Sequence, residues 1–68
     1  MKIKYFPDTD TALVEFSDMP VHDTREVNAN ILIDLDASGS LVAMTIEHAQ
    51  SQANLSEVAF VTMPTGTN

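Results

Sequence analysis

A small α+β domain, in which an antiparallel β-sheet of about five or six strands is followed by one short C-terminal helix, is predicted by three observations. Short apolar stretches with a period of two recur between Ile3 and Ile46, and that period is the mark of half-buried strands. Between them stand clusters of proline, aspartate, asparagine, serine and glycine that turn the chain every few residues. After Ile46 the character changes to Glu47-His48-Ala49-Gln50-Ser51-Gln52-Ala53, a run that favours helix and has no β-branched member. Sixty-eight residues make one domain, placed at 1–63 with a polar tail at 64–68.

The elements follow in order. Ile3 and Tyr5 alternate with Lys2 and Lys4, which predicts a strand, and Pro7-Asp8-Thr9-Asp10 turns it. Ala12-Leu13-Val14-Glu15-Phe16 resumes as the second arm of a hairpin and stops at Ser17-Asp18-Met19-Pro20. Thr24-Arg25-Glu26-Val27 is a further strand, followed by Asn28-Ala29-Asn30, whose asparagines tolerate left-handed backbone. Ile31-Leu32-Ile33-Asp34-Leu35-Asp36 and Leu41-Val42-Ala43-Met44-Thr45-Ile46 form the strongest hairpin, with Gly39 supplying positive φ in Ala37-Ser38-Gly39-Ser40. Near the end, Asn54 and Glu57 have the spacing of a capping box, whereas Val58-Ala59-Phe60-Val61-Thr62-Met63 favours a strand by composition. A final strand is the preferred reading.

Alternation assigns faces. Ile31, Ile33 and Leu35 oppose Leu32 and Asp34, while Leu41, Ala43 and Thr45 oppose Val42, Met44 and Ile46. Both faces of this hairpin then carry apolar residues, and one short helix covers only part of one face. So small a chain has a marginal core. Lacking cysteine, it has no disulfides to compensate, which makes self-association the expected device. The candidate interaction surface is Leu32, Val42, Met44, Ile46 and His48.

Charge narrows the partners. Ten carboxylates against three cations give a net charge of -7, which argues against a nucleic-acid-binding surface held by phosphate contacts and against an anionic membrane. No apolar run approaches the roughly 20 residues that span a bilayer. Tyr5-Phe6-Pro7-Asp8 interrupts any signal-peptide h-region, so the expected location is cytoplasmic. A basic protein partner would complement the charge.

The order and spacing of Lys2-Ile3-Lys4-Tyr5, Pro7-Asp8, Asp10, Ala12-Leu13, Thr24 to Val27, Ile31 to Asp36, Gly39 and Leu41 to Glu47 resembles the small bacterial family known as domain of unknown function 2283, over residues 2 to 50. That resemblance implies a compact, mostly β domain with a short C-terminal helix. Members sit beside small toxin-like partners, which implies an antitoxin-like or accessory role and no established activity. Two departures stand out: Phe6 lies where the family has an aspartate after the tyrosine, and the chain after Ala49 lacks the family's basic helix.

Chemistry-bearing patterns are few. Asp34, Asp36, Ser38 and Gly39 match the opening of a calcium loop, yet the twelfth position is Thr45 rather than glutamate and the flanks read as strands, so a hairpin turn is expected. Asp8, Asp10 and Asp36 are expected to cap turns. Adjacent His22 and Asp23 on a strand point to opposite faces, which prevents a relay. Met19, Met44 and Met63 read as core gap-fillers. Two functional readings emerge. The first is a non-catalytic interaction module acting as a homo-oligomer, with no catalytic, cofactor or metal residues. The alternative is a small metal-dependent hydrolase built from Asp8, Asp10, Asp34, Asp36, His22 and His48 at a subunit junction.

Overall fold

The computed structural model describes residues 1–66. It contains β1 (Lys2–Phe6), β2 (Thr11–Glu15), β3 (Asp23–Asn28), β4 (Ile31–Leu35), β5 (Leu41–Glu47) and α1 (Ala49–Gln52). All five strands join one antiparallel sheet in the order β1-β2-β5-β4-β3. The predicted α+β class and both hairpins are therefore present. Strands β3, β4 and β5 run as a meander, and the β1–β2 hairpin docks on its open side through β2 and β5. The connection from β2 to β3 thus carries the chain from the middle of the sheet to its far edge.

Cross-strand register defines two different faces. One row runs Tyr5, Ala12, Ile46, Ile31, and the next runs Ile3, Val14, Met44, Ile33. The reverse side instead carries the row Lys4, Leu13, Thr45, Leu32, Glu26 and the row Lys2, Glu15, Ala43, Asp34, Thr24. Only the first face is apolar across β1, β2, β5 and β4; at β3 its rows end in Asn28, opposite Ile31, and Arg25, opposite Ile33. On the second, Lys4 and Glu15 pair at 3.2 Å, and Thr24 donates to Asp34 Oδ1 at 2.7 Å, so charged and hydroxyl groups ring the few apolar side chains.

A bulge corrects one facing assignment. Asp34 pairs with Ala43 but Leu35 pairs with Leu41, so the register shifts and Val42 has no Cα partner on β4. The extra residue moves Leu41 to the side of Leu35 and Ile33, because one inserted residue inverts every side chain beyond it. The amides of Phe16 and Ser17 both donate to the Val42 carbonyl, at 2.8 and 3.2 Å, and Val42 is buried.

The C-terminal part departs further from expectation. Glu47 ends β5, and the expected short helix is a single turn, Ala49–Gln52, within the stretch 47–53. Residues 58–63 form no strand. The Asn54–Glu57 capping box is absent as such: Ser56 donates through its amide and hydroxyl to Asn54 Oδ1, and Asn54 Nδ2 donates to Glu57 Oε1 at 2.7 Å, which closes a local turn with no helix after it. The tail expected over 64–68 is exposed at 64–66, and residues 67–68 lie outside the described residues.

The buried hydrophobic residues are Ala12, Val42, Ala43 and Ala49, and no large side chain is fully buried among the described residues. Met19 and Met63 are exposed and Met44 is half-buried, so the methionines are not core fillers here; a one-layer sheet encloses no interior for them to fill. The Cα radius of gyration is 13.9 Å, against about 11 Å for a compact chain of this length. The difference reflects a single layer with an apolar segment projecting from it.

Candidate interaction face

The apolar face is built by alternation alone. Each of its residues stands one position away from a polar or reverse-face neighbour: Ile3 between Lys2 and Lys4, Val14 between Leu13 and Glu15, Ile33 between Leu32 and Asp34, Met44 between Ala43 and Thr45. Within the row that crosses the middle of the sheet, Val14, Met44 and Ile33 remain only half-buried. Keeping a β-branched and thioether surface of this kind in water costs free energy that burial would release.

The predicted interaction residues divide between locations. Met44 and Ile46 lie on the apolar face, whereas Leu32, opposite Thr45, belongs to the reverse face. Val42 is the buried bulge residue. His48 sits just past β5 with a left-handed φ of 54°, and its Nδ1 is 2.9 Å from Asn30 Oδ1. Ile3, Val14, Ile31 and Ile33 complete the face. Register between the two hairpins, which no local pattern encodes, is what unites them.

One corner of the face is covered. The Ala49 amide donates to the Asp10 carbonyl at 2.9 Å. The Tyr5 hydroxyl donates to Asp10 Oδ1 at 2.7 Å, and the Gln50 amide donates to the same oxygen at 3.2 Å. Asp10 adopts φ 53°, a geometry that short polar side chains tolerate. These bonds pin α1 over the end of the Tyr5–Ala12 pair, and both Ala12 and Ala49 are fully buried there. The hydrogen bond to Asp10 holds the Tyr5 hydroxyl pKa above its ordinary value, with Coulombic repulsion from that carboxylate adding to it.

The carboxylates do not converge. Asp8 and Asp10 lie in the β1–β2 turn, at the Thr11↔Glu47 end of the sheet, whereas Asp34 and Asp36 lie at the Ala43 end. Asp36 Oδ1 accepts the Ser38 amide, the Ser40 amide and the Ser38 hydroxyl, at 2.9, 2.9 and 2.7 Å. The Ser38 hydroxyl, followed by the Ser40 amide, lowers its carboxyl pKa. Turn capping is thus its role, as expected, while Asp10 bonds to Tyr5 across its own hairpin and to Gln50, forty residues on. Among the described residues no group of three or more His, Asp or Glu is placed to hold a metal ion. No helix among them is long and apolar enough to cross a membrane.

Residues 2–50 match the family model described as a protein of unknown function, DUF2283, and this span is well over half of the chain. The chain belongs to that family. In this DUF2283 member the match ends at Gln50, so it takes in the whole sheet and the start of α1 and leaves out residues 51–68. No curated protein and no solved structure matches the chain.

Proposed function

We propose that this DUF2283 domain is a non-catalytic interaction module that associates with a second copy of itself through the apolar face of its sheet. The observation that carries the reading is the uncapped row Ile3, Val14, Met44, Ile33 in a chain where, among the described residues, the only fully buried side chains are alanines. Area supports it. The chain exposes 5214 Å², where a compact monomer of this mass exposes about 4,200 Å². The surplus of about 1,000 Å² includes the exposed segment 58–63 as well as the sheet face, and it exceeds the roughly 800 Å² that one partner buries in a standard protein interface. With Asp8 and Asp10 at one end of the sheet and Asp34 and Asp36 at the other, and with Asp10, Asp34 and Asp36 already accepting hydrogen bonds from Tyr5 and Gln50, from Thr24, and from Ser38 and Ser40, the hydrolase reading has no assembled site among the described residues.

The acidic surface, at net charge -7, stays outside such an interface and suits a basic protein partner, in keeping with an accessory role. The test is the mass in solution across a hundredfold range of concentration, for the natural chain and for Met44→Asp. We expect a dimeric mass that falls to monomer in the variant, because a carboxylate buried at the centre of an apolar interface is strongly unfavourable. A natural chain that remains monomeric at its highest soluble concentration contradicts the proposal.

A further inference from the structure

The segment Val58-Ala59-Phe60-Val61-Thr62-Met63 has a composition its structure does not use. Six residues without charge, proline or glycine, four of them β-branched or aromatic, form a strand-competent stretch. Yet Val58, Phe60, Val61 and Met63 are 62–85% exposed. Left undocked, such a stretch is an aggregation site. Its own sheet does not take it up, although α1, from which it leads, sits against the β1–β2 turn through Ala49 and Asp10.

The sheet offers two edges, and they differ. Strand β3 is blunted by a register shift between Glu26 and Asn28 and by Asp23, Arg25 and Glu26, devices that discourage a further strand. Strand β1 pairs with β2 through five consecutive residues without a bulge, and its outer backbone edge carries no partner among the described residues. Lys2 and Lys4 on β1 oppose pairing with another β1, since two such edges would set lysine beside lysine. They do not oppose an uncharged strand, and Glu57, which precedes the segment, supplies the complementary sign.

We infer that residues 58–63 of one copy add as a sixth strand to the edge of β1 in a second copy. The inference rests on the self-association proposed above and names a segment that strengthens it. Addition at the edge satisfies backbone groups on both strands and extends the Ile3–Tyr5 side of the apolar face with alternate residues of the segment.

The experiment uses the full chain. Ala59→Pro with Val61→Pro removes two strand amides at exposed positions, so the folded body is expected to keep its circular dichroism. We expect the dimer dissociation constant to rise at least 100-fold. Amide exchange should show residues 58–63 protected at high concentration and open at low. The absence of cysteine permits a second arm: chains carrying Lys2→Cys and chains carrying Phe60→Cys, mixed, should cross-link into heterodimers. A natural dimer matched in affinity by the proline variant overturns the strand exchange while leaving association through the face intact. A natural chain that never dimerises overturns both. Tail amides protected in the monomer show that the segment pairs within its own chain, and overturn the exchange.

Discussion

Two of the three hairpin turns of the sheet, β1–β2 and β4–β5, are organised by an aspartate, but the two aspartates work over different distances. Asp36 spends its carboxylate on Ser38 and Ser40, within its own turn. Asp10 spends its carboxylate on Tyr5 and on Gln50, forty residues away in sequence. The β4–β5 turn is therefore self-sufficient, while the β1–β2 turn is the anchor of α1. Local hydrogen bonds set turn geometry; long-range ones set which part of the sheet is covered.

Substitutions at the two ends should separate these roles. The largest effect is expected from Ala49→Leu, because a fully buried alanine at the Asp10 contact cannot accept added volume; overpacking of this kind costs about 1–3 kcal/mol, read as a lowered denaturant midpoint. Asp10→Ala comes next. It removes the acceptor of two bonds and leaves alanine at φ 53°. A loss of about 1–2 kcal/mol is expected, with amide exchange at residues 49–52 accelerating more than at β4. At the other end, Gly39→Ala meets no atom within 4 Å, but its φ of 86° strains any side chain, so a loss of about 1 kcal/mol should come without change at α1.

The smallest effects are the pH limbs. Asp36 titrates below its ordinary value, so its contribution is complete above the ordinary carboxylate pKa and disappears as pH falls through the lower folded value. Asp36→Ala should flatten the acid limb of a stability profile. Tyr5 titrates above its ordinary value, so its contribution is complete below the ordinary tyrosine pKa and is lost as pH rises through the higher folded value. Tyr5→Phe should flatten the alkaline limb. An unchanged limb in either variant breaks the corresponding half of the comparison.

This division also explains what the sequence could reveal. Period-two alternation and turn residues located all five strands to within about two residues, and Gly39 and Asp36 announced their turn, because each signal is local. The bulge at Val42 was invisible: Leu41 to Ile46 reads as an unbroken alternating strand, and only the partner strand reveals the extra residue. The pairing of β2 with β5, which assembles Ile3, Val14, Met44 and Ile33 into one row, carries no local mark. For Val58 to Met63 the propensity was legible, but propensity requires a paired edge to become a strand, and within the single chain the segment does not pair with the open edge of β1.

The central claim is that a one-layer sheet with an uncapped apolar row is completed by a second copy. The most direct test is the thermal unfolding midpoint over a hundredfold range of protein concentration at fixed buffer, since binding to the folded state makes that midpoint rise with concentration. A midpoint that climbs steadily, and stops climbing in Met44→Asp, is the predicted result. A midpoint independent of concentration, accompanied by a monomeric mass throughout, contradicts the claim.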